Sequence, residues 1–330
     1  MYAVPERVPT VRELVTALEA RVSGLPDQKA RVATLLRRHL LAGANDRPYS
    51  PANTLVLGPT GGGKTFLVKQ ACELSGLPYI EINATQFSEV GYWGRDLAWM
   101  FQDFVDKYDM RPREITPIIE RWGVVILDEI DKWRMIPNLK ERQPSRALQA
   151  ELLKILEGDV VTAKRKDTDQ GFQVHTHNVL FIGVGAFENI EAVIQKRRGF
   201  DQLNSYMLAE PGDIMDYGFI MELVGRLPSI IALPPLDPTS MARILEQHTL
   251  PMYVQEAEDM GINFVCDGPA MREIASLAIQ KRIGARAFPS IIDNMLWKPI
   301  SQAEPGDTIY LDAQAVINQC GRLERARVPV

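Results

Sequence analysis

From Thr10 onward, apolar positions recur at helical spacing. Thr10-Val11-Arg12-Glu13 has the form of a capping box, and Val11, Leu14, Val15, Leu18 and Val22 follow it at intervals of three and four. Ser23-Gly24-Leu25-Pro26 breaks this helix. Asp27 is the expected cap of a second helix running to about residue 42, with Val32, Leu35, Leu36 and Leu40 on its apolar face. Beyond Pro51 the pattern changes. Short continuous apolar runs at 55–57, 79–82, 124–127, 179–184 and 230–233 read as buried strands, and helical patterns such as 64–75 separate most of them.

Buried strands alternating with helices predict an α/β fold with a mainly parallel sheet covered on both faces. The character shifts at Leu233-Pro234-Pro235-Leu236-Asp237-Pro238, where the prolines stiffen a connector and Asp237-Pro238 begins a helix. Helices are expected near 238–260, 268–282 and 286–297, with a short strand at 262–265. The organisation predicted is therefore N-terminal helices over 1–50, a large α/β domain over 51–234, a small mainly helical domain over 235–320, and a loose charged tail over 321–330.

Composition is that of an ordinary globular protein, with 46% apolar and 24% charged residues. A net charge of −5 argues against a non-specific grip on nucleic acid. The three cysteines are isolated, and His175 and His177 have no third ligand near them, so neither a disulfide framework nor a zinc site is expected. No run is long enough to span a bilayer and the N-terminus has no signal-peptide core, so the expectation is a cytoplasmic protein without membrane association.

The chemistry lies at two strand ends. Gly58-Pro59-Thr60-Gly61-Gly62-Gly63-Lys64-Thr65 fits the G-x-x-x-x-G-K-[ST] phosphate cradle and sits between an expected strand and an expected helix. Small residues Pro59 to Gly63 let backbone N–H groups turn toward phosphates, with the positive end of the helix behind them. Lys64 would reach the β- and γ-phosphates of ATP, and the Thr65 hydroxyl would bind Mg²⁺. The run at 124–127 ends in Asp128-Glu129. Asp128 would hold the Mg²⁺ shell through water, while Glu129 would orient and polarise an attacking water.

These motifs, with Asp128-Glu129-Ile130-Asp131-Lys132, then Gly225-Arg226-Leu227-Pro228, then Gly284-Ala285-Arg286, resemble the ClpX and HslU group of AAA+ ATPases over about residues 20 to 300. The resemblance implies a P-loop AAA+ core with a helical lid, working as a homo-hexameric ring. It makes Arg226 the arginine finger reaching a neighbour's γ-phosphate and Arg286 the second sensor on the lid. It also places Val22 and Ser23 near the adenine base. Gly91-Tyr92-Trp93-Gly94 matches the family's pore loop, with Trp93 in place of valine, so that Tyr92 and Trp93 would grip a polypeptide substrate. Residues 142–146 match a second pore loop without its glycines, and Lys164-Arg165-Lys166 a shortened basic loop. The first sensor should lie near Gly183–Gly185, yet no Asn, Ser or Thr stands there.

Two departures bear on partners. The family's N-terminal zinc-binding domain has no counterpart in these residues. The segment after Phe187 is short, leaving only Gly199-Phe200 of a loop that docks the protease ClpP, so stable ClpP docking is not expected. The function implied is an ATP-dependent unfoldase or disassembly chaperone. The alternatives are the ATPase ring of a compartmental protease and a nucleic-acid remodeller or loader.

Overall fold

The computed structural model describes residues 7–45, 49–87, 96–136, 144–164, 171–199, 205–281 and 283–325. The described residues divide into two compact units, one within 7–58 and 63–234, the other within 59–62 and 235–325.

In the first unit the apolar runs become strands β1 (Thr54–Leu57), β2 (Tyr79–Asn83), β3 (Val124–Asp128), β6 (Leu180–Gly185) and β7 (Ser229–Ala232). They form one parallel sheet in the order β2-β3-β6-β1-β7. Strand period sends Leu55 and Leu57 into one core and Val56 into the other. Val125 and Leu127 separate from Val124 and Ile126 in the same way. Helices Val11–Glu19, Pro26–Asn45 and Lys64–Ser75 bury their apolar faces on one side. Helices Met100–Tyr108, Pro112–Trp122 and Pro144–Leu156 do so on the other. Apolar burial on both faces explains why these strands read as unbroken hydrophobic runs.

The Thr10–Glu13 capping box forms as the sequence predicts. The second helix starts one residue before its expected cap and continues past residue 42 to Asn45. Gly43 serves packing rather than termination: a Cβ there would lie 2.2 Å from Trp122 Nε1. Strands β4 (Val160–Lys164) and β5 (Gly171–His175) form an antiparallel hairpin, which the sequence pattern did not mark.

Side chains take up part of each edge of the large sheet. On β2, Tyr108 Oη accepts from Tyr79 N at 2.9 Å and Lys107 Nζ donates to Tyr79 O at 2.8 Å. On β7, Arg31 and Gln28 donate to the carbonyls of Ile230 and Ala232. Capped edges resist strand addition from another chain.

The second unit packs helices Gly268–Gln280 and Phe288–Ile300 around its own apolar core. The expected helix at 238–260 is three segments: Pro238–Ile244, a π-helical Leu245–Thr249, and Leu250–Asp259. Pro251 has no N–H to give, and the ladder widens just before it. The expected helix at 286–297 instead begins at Phe288, after a 3₁₀ turn Gly284–Ala287.

Strand β8 (Asn263–Cys266) lies one residue beyond its expected position and pairs with β9 (Thr308–Leu311), which pairs in turn with β10 (Arg322–Glu324). The loose tail expected from Gly321 is thus corrected for its described part. The Arg322 guanidinium stacks 4.8 Å from the Tyr310 ring, and Arg325 pairs with the buried Asp307 at 2.9 Å.

Candidate active site at the ends of the parallel strands

Strand β1 runs directly into the glycine-rich loop. Gly58 has φ +151°, and a Cβ on it would lie 2.7 Å from the Leu233 carbonyl, so the loop leaves β1 by a path open to glycine. Gly61 and Gly63 have φ of +71° and +79°. Gly63 is the left-handed cap of helix Lys64–Ser75, and Gly62 N donates to Pro59 O at 3.1 Å. The side chain of Lys64 folds back along the loop, where its Nζ donates to Gly58 O at 2.9 Å. Lys64 is buried.

The second half of the site meets the first through Thr65, whose Oγ1 donates to Asp128 Oδ2 at 2.9 Å. Asp128 Oδ1 in turn accepts from Glu129 N. Glu129 adopts φ +58°, a left-handed conformation uncommon for a non-glycine residue and a mark of a constrained site. Its Oε2 accepts from Asn83 Nδ2 at 3.2 Å. Asn83 Oδ1 accepts from both the N and the Oγ1 of Thr85, which fixes the amide so that its NH₂ faces the carboxylate.

Asn83 is a site residue that the sequence reading missed. It ends β2 in register with Asp128 on β3, a signal visible only once the two strands are known to be neighbours.

At the end of β6 the expected sensor position carries no polar side chain. A buried carboxylate occupies that neighbourhood. Asp131 is 3% exposed, burial pushes its pKa up, and the Lys132 ammonium and the backbone at Phe187 and Ala186 oppose the shift. Gly185 is required there, since a Cβ would stand 2.5 Å from Asp131 Oδ1.

Arg226 ends the short helix Met221–Arg226. Its Nη2 lies 3.2 Å from Glu157 Oε1, with both side chains about half exposed. Val22 and Ser23 are buried in the turn between the first two helices, and Val22 shares a core cluster with Leu67 and Val68 of the helix behind the cradle. In the second unit, Arg286 is exposed in the turn Gly284–Ala287, which the buried Ala287 and Phe288 anchor. Tyr92, Trp93, Arg165, Lys166 and Phe200 lie outside the described residues.

The site offers hard oxygen donors for a magnesium ion, a hydroxyl and a carboxylate already in contact. Among the described residues no group of three His, Cys, Asp or Glu side chains could hold a metal. A metal bound here would rely on ligand phosphate and water, as magnesium commonly does.

A glycine cradle at the end of a central parallel strand, with an acidic pair on a nearby strand, defines a P-loop nucleotide hydrolase. The sequence pattern of the AAA domain (Cdc48 subfamily) matches residues 50–230, more than half of the chain, and the chain belongs to this family. It is similar to the ATP-dependent Clp protease ATP-binding subunit ClpX 3 of Methylococcus capsulatus, at 30% identity over 82% of this chain and 66% of the relative. It is likewise similar to the ATP-dependent Clp protease ATP-binding subunit ClpX of Bacteroides thetaiotaomicron, at 29% identity over 88% of this chain and 76% of the relative. The chain therefore spans slightly under two thirds of the first of these relatives. It is a ClpX-like AAA+ ATPase. Among the described residues no helix is long and apolar enough to cross a membrane.

Proposed function

We propose that the chain is the motor of a homo-hexameric ring that hydrolyses ATP to pull polypeptide through an axial pore, as an unfoldase or disassembly chaperone. The observation that carries this reading is the division of the catalytic groups. Thr65, Asp128, Glu129 and Asn83 form one bonded network, whereas Arg226 stands outside it and, among the described residues, pairs with the half-exposed carboxylate of Glu157. An exposed ion pair contributes little, so Arg226 can leave Glu157 for a stronger anion on an adjacent subunit.

In this reading the loop amides and Lys64 hold the phosphates, and Val22 and Ser23 line the base. Magnesium, held by Thr65 and through water by Asp128, would neutralise charge between the β- and γ-phosphates. Glu129, oriented by Asn83, positions the attacking water and draws off its proton. Arg226 of the neighbouring subunit offsets charge developing on the transferred group, and Arg286 reports nucleotide state to the lid. Tyr92 and Trp93 grip the substrate.

The relatives, ATP-binding subunits of the ATP-dependent Clp protease, favour a second reading, the ATPase partner of a compartmental protease. The short stretch after Phe187, which continues into helix Ile190–Arg198, argues against ClpP as that partner, and a stable co-sedimenting complex with ClpP would restore it.

The test is ATPase activity with a permanently unfolded polypeptide and, separately, with DNA. The proposal expects stimulation by polypeptide, lost in a Tyr92→Ala, Trp93→Ala double variant. Stimulation by DNA alone, falling steeply with salt, would contradict it and favour the nucleic-acid remodeller.

A further inference from the structure

Gln149 lies on helix Pro144–Leu156, is 0% exposed, and uses its amide on two other elements. Nε2 donates to Trp133 O at 2.7 Å and to Gly218 O at 3.2 Å, and Oε1 accepts from Ile220 N at 2.7 Å. Trp133 closes the 3₁₀ turn Ile130–Trp133 that follows Glu129. Gly218 and Ile220 lead into helix Met221–Arg226, of which Ile220 is the N-cap. One buried amide therefore bonds the catalytic turn to the base of the arginine-bearing helix. The far end of the same supporting helix reaches the other end of the arginine helix, where Glu157 meets Arg226.

The two joints differ in how much else holds them. The turn after Glu129 keeps Lys132 N on Glu129 O, Arg134 N on Asp131 O, and Trp133 Nε1 on Ala84 O, beside Asn83. The arginine helix is six residues long, and the side chain of its N-cap residue offers no capping bond. The N–H of that residue goes to Gln149. Leu223 and Val224 seat the helix in the core, but apolar contact is non-directional. Met135 N also donates to Gly218 O at 2.9 Å, so the stretch of chain before the helix has a backbone tie of its own, whereas the N–H of the N-cap residue itself is directed by Gln149. Gly218 is confined to glycine by the Met135 backbone: it has φ +124°, and a Cβ would come 2.4 Å from Met135 O.

We propose that Gln149 is a positioning residue for ATP hydrolysis, setting the helix that presents Arg226 to the neighbouring subunit. This rests on the reading of Arg226 as a group acting in trans. Removing the amide leaves the chain's own Glu129 network standing and misplaces the arginine it lends. The defect then appears in the neighbour's site.

The experiment is subunit mixing. Gln149→Leu alone is expected to lower kcat on the order of 10- to 100-fold, with KM for ATP changed less than about threefold. Glu129→Gln alone is inactive but keeps its own Arg226 helix. In equimolar mixed rings, a Gln149→Leu subunit served by the arginine of a Glu129→Gln neighbour has a complete site. Random assembly then restores up to about a quarter of the wild-type rate per subunit. Mixing Arg226→Ala with Glu129→Gln is the control and is expected to recover likewise. If the control recovers and the Gln149→Leu mixture does not, the proposal is overturned while the trans arginine stands. If the control fails, the trans reading falls and the proposal falls with it.

Should Gln149→Leu fail to fold, Gln149→Glu decides. At high pH the introduced carboxylate is ionised, keeps the acceptor for Ile220 N and repels the carbonyls of Trp133 and Gly218. Protonation restores one donor. The ratio of variant to wild-type kcat should therefore rise at least severalfold as pH falls from about 8 to about 6. A flat ratio overturns the proposal.

Discussion

The hydroxyl of Thr65 donates to Oδ2 of Asp128 across 2.9 Å, joining the phosphate cradle to the acidic end of β3. Two motifs far apart in the chain thus meet in one donor set. Thr65→Val keeps the shape of the side chain and removes the oxygen. Magnesium-dependent ATP turnover is expected to fall on the order of 100-fold, while Thr65→Ser retains most of it. Steady-state kinetics over a magnesium titration check this.

Asn83 holds Glu129 through a single amide hydrogen bond. Asn83→Ala should lower kcat by about 10-fold or more and leave nucleotide affinity nearly unchanged, because the contact is to the group that handles water and not to the phosphates. Parallel measurement of kcat and of ATP binding to the Glu129→Gln background separates the two effects.

Arg197 grips the buried Asp213 with two hydrogen bonds, at 2.8 Å and 2.7 Å, and also meets Glu210 at 3.0 Å. Arg197→Leu strands a carboxylate that is 0% exposed, and destabilisation of about 3 kcal/mol is expected in denaturant unfolding. The double variant Arg197→Leu, Asp213→Leu should recover part of that loss, since the buried carboxylate is gone, although the bond that Asp213 Oδ2 accepts from Glu210 N goes with it.

Glu151 sits beside Asp96, close in sequence to the residues expected to form the pore loop. Burial first, then the Asp96 carboxyl, pushes its pKa from 4.5 up to about 7, against the pull of Leu97 N–H and Lys154. A carboxyl with a raised folded pKa is bound to its proton more tightly in the folded state. Its stabilisation is fully present below about pH 4.5 and is lost as pH rises through about 7. Thermal unfolding between these values should show the wild-type chain losing stability with rising pH relative to Glu151→Gln, which stays neutral throughout. Equal pH slopes for the two chains would contradict this.

Much of the engine was legible in the chain. Strand β1, the glycine loop and the helix from Lys64 announce themselves because a fully buried strand, a loop needing positive φ and an amphipathic helix each leave a distinct local pattern. Asp128-Glu129 stood out for the same reason, at the end of an unbroken apolar run. Asn83 and Gln149 did not, because a polar residue engaged across the fold looks like any surface residue until its partners are placed beside it. The β4–β5 hairpin and the pairing of Arg322–Glu324 with β9 were missed likewise. Their half-exposed strands alternate weakly, and their stability comes from neighbours distant in sequence. Helical periodicity could not show the π turn before Pro251, since the apolar spacing continues through it.

The most direct test of the account is steady-state ATPase activity as a function of chain concentration, with mass measured in parallel, for the wild-type chain and Glu129→Gln. Turnover per chain is predicted to rise with concentration, to track a hexameric species, and to vanish in the variant while ATP binding persists. A monomer hydrolysing ATP at the full rate would contradict a site shared between subunits and remove Arg226 from its role.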